Sequence, residues 1–274
     1  RRFFGFGNLL AAMAGFVDLT GWPDRTPATP YGAYTDFIAP RFCGAALVAA
    51  LDHRRRTGEG QYIDVSQYEA SLQFLAPCLL DAQVNGRIAS RLGNRSPDAA
   101  PHGIFPCLEE NGLDRWVAIA VETDDQWRAF ISRAADIPGL TDARFATLED
   151  RKANEDELEA LIAAWTARQT RDQVAGRLQP DVPAAPVRTN LELPDDPQLR
   201  SRGYFQKLRH SEVGEIYYEG SQVIATATQS RPRKAAPAFG EDSRHVLGDL
   251  LGYGADEIEA LIAAGAVELK GPPA

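Results

Sequence analysis

The sequence lacks the short motifs by which many enzymes are recognised. Its 274 residues contain no GxGxxG fingerprint for a dinucleotide, no GxxxxGK(S/T) loop for a nucleoside triphosphate and no GxSxG turn for a nucleophilic serine. Its four histidines are scattered without the spacing of metal ligands, so no metal site is predicted. Its three cysteines form no CxxC pair, which favours reduced thiols and a cytoplasmic location.

Long apolar runs and a positive charge balance are also missing. No stretch of eighteen apolar residues is present, so the sequence predicts no membrane-spanning helix. The net charge of −9 disfavours non-specific binding to nucleic acid or to an anionic membrane. The content of 44% apolar and 24% charged residues excludes wholesale disorder and allows one large or two small cores. We therefore expect a folded protein whose partners include neither nucleic acid nor membrane.

The first ninety residues read as helices separated by one loop and one strand. A helix over 4–17 is predicted to bury Leu9, Leu10, Met13, Phe16 and Val17. The next segments are, in order, a loop over 20–32, a helix over 37–56, a strand over 61–66 and a helix over 67–85. Asp36 directly precedes the second helix, which leaves two interpretations. It is a helix cap only, or the cap is also a reactive acid at the mouth of a cleft.

The remaining chain mixes helices and strands. It opens on "RIASRLGNRSPDAAPHG" (87–103), a polar connection that is either a linker or a cover over an active site. The predicted elements after it are a strand over 115–121, helices over 124–135, 154–168, 171–178 and 192–202, an extended piece over 182–188, two paired strands joined near Gly214 and two C-terminal helices.

Several collinear segments carry a family resemblance. They are "LTGWPDRTPATP" (19–30), "YTDFIAP" (34–40), "GAALVAALDHRRRTGEGQYIDVSQYEA" (44–70), "RLGNRSPDAAPHGIFP" (91–106), "DARFATLEDRKANEDELEALIAAW" (142–165), "VPAAPVRTNLELPDDPQLRSRGYF" (182–205) and "FGEDSRHVLGDLLGYGADEIEALIAAGAV" (239–267). The pattern RxxTGxGQxIDVSxxEA is the specific one. In these segments the chain resembles the class III coenzyme A-transferase family, which also contains the α-methylacyl-CoA racemases.

The resemblance implies an α/β architecture in which this chain corresponds to the C-terminal two-thirds of a member. The helical part of the large domain, with the nucleophile, is expected over 1–90. A small α+β domain with linkers is expected over 91–200, and strands and helices that return to the large domain over 201–274. The Rossmann-like N-terminal half of the family, with much of the CoA surface, would precede Arg1. Because family members form interlocked dimers, we expect a homodimer or a complex with a separate N-terminal half.

The resemblance also implies a reaction, the transfer of CoA between carboxylic acids. The family's nucleophilic aspartate matches Asp36, which would attack an acyl-CoA thioester, form an aspartyl anhydride and pass CoA on through an enzyme thioester. Since a helix N-terminus favours an anion by roughly 0.3–1 kcal/mol, the cap and the nucleophile interpretations are compatible. Tyr34, His102 and Gly103 are the candidate residues for binding substrate or CoA. Acyl-CoA and an acceptor acid are the expected substrates, without a further cofactor.

Two departures from the family pattern keep alternatives open. Gly7 and Ala11 stand where transferases often carry an acidic residue and a glutamine, so a supporting carboxylate and amide are missing from that segment. This favours, as one alternative, a non-catalytic half-module that needs a partner. Phe6 stands where racemases need a histidine base, and phenylalanine cannot transfer a proton, so a racemase is the disfavoured alternative.

Overall fold

A computed structural model of the protein describes residues 5–228 and 230–269. The chain groups into two compact units that divide between Val187 and Arg188. Helices and strands are mixed along the chain, which confirms the predicted α/β class. The predicted boundary at 90/91 falls inside the first unit, so the division into three segments stays a prediction.

Four helices form the start of the first unit. They are α1 (Gly7–Ala14), α2 (Tyr34–Thr57), α3 (Gln67–Leu72) and α4 (Ala76–Asn85), with one 3-10 turn (Gln73–Leu75) between α3 and α4. Helix α2 ends at Gly58 with φ of 81°, a left-handed conformation that glycine adopts without strain. The predicted helix over 67–85 is interrupted by this 3-10 turn. Pro77 lies in the first turn of α4, where the missing N–H of a proline is best tolerated.

Helix α1 contacts α2 and α3 through its smallest side chains. It buries Gly7, Ala11 and Ala14, whereas Leu9 and Met13 are exposed. The predicted apolar face is therefore wrong for this helix. Spacings of three and four residues also place the small residues on one face, and these allow the backbones to approach more closely than leucines would.

The segment 61–66 has no regular secondary structure, and within the part of the chain that the structure describes it pairs with no other strand. The predicted strand is therefore wrong. Its alternation of polar and apolar residues indicates an extended backbone, but a strand also needs a neighbour for its N–H and C=O groups. Tyr62 in this segment is 91% exposed.

The rest of the first unit is an antiparallel sheet covered by helices. The sheet has the order β1 (His102–Glu110), β2 (Leu113–Ala120) and β3 (Ala184–Pro186). The helices are α5 (Asp124–Arg133), α6 (Leu148–Ala153), α7 (Glu155–Thr166) and α8 (Arg171–Leu178), with a 3-10 turn at Ala143–Phe145. Their core contains Phe130, Leu158 and Trp165 packed on Val117 and Ile119 of β2.

Strand β1 was not predicted from the sequence. Its residues Gly103 and Pro106 are typical of a loop, and Gly103 ends the segment that was predicted to be a linker or cover. Both fit because β1 is an edge strand, where a proline that cannot donate a hydrogen bond is tolerated. Residues 102–106 therefore belong to the sheet.

The second unit contains a hairpin and short helices. A 3-10 turn (Leu193–Asp195) precedes α9 (Pro197–Ser201), and β4 (Phe205–His210) pairs with β5 (Gly214–Glu219). Helix α10 (Ser243–His245) continues into a π-helical turn (Val246–Leu250), and α11 (Ala255–Ala263) follows. The predicted hairpin near Gly214 is confirmed. Of the helices that the structure describes, none combines the length and apolar character needed to cross a membrane.

Candidate active site

Asp36 lies in the first turn of α2, but it does not cap the helix. Ala33 occupies the cap position, and the backbone N–H of Asp36 donates to the carbonyl of Ala33 at 2.8 Å. The predicted cap is wrong because the helix begins at Tyr34, three residues before the predicted start at 37. Asp36 still lies in the first turn, near the positive end of the helix dipole.

A glutamine from α3 holds one oxygen of this carboxylate. The Gln67 side-chain amide donates to Asp36 Oδ1 and also to Thr35 Oγ1, the latter at 2.8 Å. The Thr35 hydroxyl, which is fully buried, donates in turn to the carbonyl of Gly7 at 3.0 Å. The first residues of α1, α2 and α3 are therefore connected by one chain of hydrogen bonds that ends on Asp36.

Gly7 leaves room for the carboxylate. A Cβ atom built on Gly7 would lie 2.7 Å from Asp36 Oδ1 and 2.4 Å from the Ala33 Cβ. Both distances are shorter than real Cβ contacts, so position 7 has no space for a side chain while Asp36 keeps its place. Gly7 stands where an acidic residue was expected from the family pattern. The space that such a side chain would need is occupied by Asp36.

The side of Asp36 away from Gln67 is open. Asp36 is exposed, and among the described residues its side chain has no hydrogen-bond or ion-pair partner besides Gln67. Tyr34, two residues earlier, is 37% exposed and rests its ring edge-on against Phe16, with centroids 5.3 Å apart. The first turn of α2 thus presents a carboxylate and an aromatic ring at the surface of this chain.

His102 and Gly103 line a different feature, an open cleft of about 850 Å³ beside the sheet. Its walls come from the start of β1, the end of β2 and the residues around β3, with Gly93, Asn94 and Arg95 at one side. The His102 Nδ1 lies 2.6 Å from the carbonyl of Asn94. Because a carbonyl can only accept, Nδ1 carries the hydrogen of this bond.

The segment 91–101 that borders this cleft is attached to α6 and α7. Arg95 donates to Glu159 at 3.0 and 2.6 Å and also binds Asp156. Hydrogen bonds from Glu159 and Asp156 raise the pKa of the Arg95 guanidinium, so this cation keeps its proton. Lys152 donates to the Ser96 carbonyl at 2.8 Å. Of the two interpretations of this segment, a free linker therefore does not fit.

The predicted residues thus form two separate pairs. Tyr34 and Asp36 share the first turn of α2, and His102 and Gly103 share the start of β1. No hydrogen bond, ion pair or ring contact connects the pairs within residues 5–228 and 230–269. Gln67 was not predicted from the sequence, although it lies inside the specific motif. Nothing in the sequence indicates its hydrogen bond with Asp36, which is 31 positions earlier.

Metal ligation has no basis in the described ranges. No group of three or more histidine, cysteine, aspartate or glutamate side chains is arranged to hold an ion there. What the arrangement at Asp36 offers is a carboxylate with one oxygen held by an amide and the other open to solvent. Such a group can act as a nucleophile toward an activated carbonyl.

Comparison with known proteins identifies a family. The model for CoA-transferase family III matches residues 1–243. Succinyl-CoA–D-citramalate CoA-transferase of Chloroflexus aurantiacus is 33% identical over 261 residues, which cover 94% of this chain and 64% of that protein. The alpha subunit of a succinyl-CoA–L-malate CoA-transferase of Chloroflexus aurantiacus is 31% identical over 264 residues, 95% of this chain and 60% of that protein.

The fold also matches a solved structure. A CAIB/BAIF family protein from Brucella suis has a similar crystal structure, with a TM-score of 0.77 and 27% identity over 90% of this chain and 63% of that one. The chain therefore has the fold of a CAIB/BAIF-type protein. It belongs to CoA-transferase family III. It spans less than two-thirds of the length of these relatives.

Proposed function

We propose that the protein transfers coenzyme A from an acyl-CoA to a carboxylic acid, with Asp36 as the nucleophile. The observation that carries the proposal is the carboxylate of Asp36, which is exposed at a helix start with one oxygen hydrogen-bonded to Gln67. Asp36 attacks the thioester carbonyl, the carbon–sulfur bond breaks, and CoA leaves as a thiolate. The product is a mixed aspartyl anhydride, so the energy of the thioester is kept in covalent form.

The relatives suggest the substrate class. Those compared above are named for succinyl-CoA as donor, and for D-citramalate or L-malate as the second substrate. Both acids are short dicarboxylates with a hydroxyl group. We therefore propose succinyl-CoA as the donor and a short dicarboxylic acid as the acceptor, with no cofactor beyond CoA itself.

Assembly is part of the proposal. An anhydride must be shielded from water to survive, whereas Asp36 is exposed in this chain. We propose that a second copy or a further polypeptide completes the crevice around Tyr34 and Asp36. One relative is named as an alpha subunit, which supports a complex with a further polypeptide. In that assembly, His102 and Gly103 are proposed to contact substrate from their cleft.

Substitution of the nucleophile tests the proposal. The native protein, in the assembly that it forms, is incubated with succinyl-CoA and hydroxylamine, and the hydroxamate on its peptides is located by mass spectrometry. Asp36→Asn keeps the shape but removes the charge, so the adduct and the transferase activity should both disappear. Asp52→Asn is the matched control, because Asp52 lies on the same helix and pairs only with Arg55 and Arg56 near its other end.

The result that contradicts the mechanism is an adduct of unchanged yield in Asp36→Asn. A native protein that forms no adduct and fails to bind CoA in a titration would instead favour the non-catalytic half-module. Exchange of the hydrogen at the α-carbon of an acyl-CoA in deuterated water would favour the racemase.

A further inference from the structure

The hydrogen bonds fix which end of the Gln67 amide faces Asp36. The buried Thr35 hydroxyl gives its hydrogen to the carbonyl of Gly7, so its oxygen faces Gln67 as an acceptor. An ionised Asp36 carboxylate also only accepts. Both partners therefore need donors, and only the NH2 end of the amide can satisfy both. One hydrogen of Nε2 goes to Thr35 and the other to Asp36 Oδ1.

This orientation makes the two oxygens of Asp36 unequal. Oδ1 is held by the amide, whereas Oδ2 has no partner among the described residues. The oxygen that is free to attack a thioester is therefore Oδ2. After the attack, Oδ2 bridges the two acyl groups of the anhydride, and Oδ1 is the carbonyl oxygen of the aspartyl group.

The next step places negative charge on Oδ1. The CoA thiolate attacks Asp36 Cγ, and the electron pair of the Cγ–Oδ1 double bond moves to Oδ1. When this pair returns, the Cγ–Oδ2 bond breaks, the donor acid leaves as a carboxylate that contains Oδ2, and the aspartyl-CoA thioester remains. The same oxygen takes up charge again when the acceptor carboxylate attacks the thioester and CoA leaves.

We propose that Gln67 is a catalytic residue of this reaction, the hydrogen-bond donor that stabilises the oxyanion on Asp36 Oδ1. This assignment of Gln67 rests on the proposed role of Asp36 as nucleophile. The donor is preorganised, since Gln67 is the first residue of α3, Ser66 caps that helix, and the Thr35 hydroxyl fixes the amide. Donors that are in place before charge develops stabilise a transition state without reorganisation.

The role predicts which half of the reaction suffers when the amide is removed. The first attack develops charge on the carbonyl oxygen of the substrate, which Gln67 does not touch. The attack on Cγ develops charge on Oδ1. In Gln67→Ala, the acyl adduct on Asp36 should therefore form at nearly the native rate, while its conversion to the CoA adduct slows by about 100-fold or more, as is usual for the loss of one oxyanion donor.

The experiment follows both adducts in the native assembly. Protein is mixed with succinyl-CoA, and samples are quenched in acid at intervals. Mass spectrometry of the peptide that contains Asp36 then shows whether succinyl or CoA is attached. Native protein should accumulate the CoA adduct, and Gln67→Ala the succinyl adduct. Gln67→Glu, which has the same shape but no amide hydrogens, should behave like Gln67→Ala. Gln73→Ala, an exposed glutamine six residues later, should behave like native protein.

Three outcomes overturn the assignment. If Gln67→Ala and Gln67→Glu convert the adducts at the native rate, Gln67 is not the oxyanion donor. If both half-reactions slow equally and the melting temperature falls with them, its role is only structural. If the native protein forms neither adduct on Asp36, the proposed function itself fails, and the inference with it.

Discussion

Gly7 lies against the reacting carboxylate, and the effect of filling it can be estimated from the structure. In Gly7→Ala the new Cβ would start 2.7 Å from Asp36 Oδ1, whereas ordinary van der Waals contact begins at 3.4 Å. The carboxylate or α1 must therefore move by about 0.7 Å. The Ala33 Cβ would lie closer still, at 2.4 Å, so the backbones of α1 and α2 are also pushed apart at this point. We expect the carboxylate to move.

The overpacking at Gly7 should lower both the catalytic rate and the stability of the fold. A misplacement of about 1 Å costs about 100-fold in rate, so a shift of 0.7 Å should lower kcat by roughly 10- to 100-fold. Overpacking costs about 1–3 kcal/mol. Alanine in a helix is more favourable than glycine by about 0.5–1 kcal/mol, so the net loss of stability should be about 1 kcal/mol. The loss of activity should therefore exceed what unfolding explains.

The assay compares two glycine-to-alanine variants. Transferase activity and thermal unfolding are measured for Gly7→Ala and for Gly176→Ala, since Gly176 lies on α8 and a Cβ there meets nothing within 4 Å. Gly176→Ala should keep full activity and be slightly more stable. If Gly7→Ala retains native kcat while it folds normally, the close packing of α1 against Asp36 has no catalytic consequence, and the reasoning is refuted.

Two further predictions concern Arg151 and Cys107 of the first unit. Arg151 is 1% exposed, donates to the carbonyl of Ala100 at 2.7 Å and lies 4.7 Å from the Trp127 ring, so Arg151→Met should lower the free energy of unfolding by about 2–3 kcal/mol in chemical denaturation. A loss no larger than that of an exposed arginine variant, which is about 0–1 kcal/mol, would contradict this. Burial raises the pKa of the Cys107 thiol to about 11 from its ordinary 9.0, so at pH 8 a thiol reagent should label exposed Cys43 well before Cys107. Because the unfolded thiol ionises first, stability should fall as the pH rises from about 9 to 11, and equal labelling rates at pH 8 would be the opposite result.

Elements that are determined by caps and turn residues close to them in the sequence were predicted well. Helix α8 was predicted over 171–178 and has those bounds, because Thr170 provides a cap and the chain leaves the helix at Gln179. The hairpin β4–β5 follows the same rule, since Gly214 adopts φ of 77° at the turn. In these segments, the information that decides the structure lies within a few residues.

Elements that depend on distant partners were not predicted. The segment 61–66 has the alternation of a strand but no neighbour in the described chain, and β1 has the composition of a loop but a neighbour in β2. The site shows the same division. The position of Asp36 near a helix start was predicted from the sequence. Gln67 was not, because its contact depends on how α2 and α3 pack.

The unpaired segment 61–66 also affects how the protein behaves in solution. The N–H and C=O groups of residues 61–65 pair with no other strand of the described chain and can pair with the same segment of another molecule, which is how exposed strand edges start aggregates. Tyr62, Ile63 and Val65 would favour such stacking, and Asp64 between them opposes it by charge repulsion. Salt screens this repulsion, so a preparation of the chain by itself keeps better at low salt.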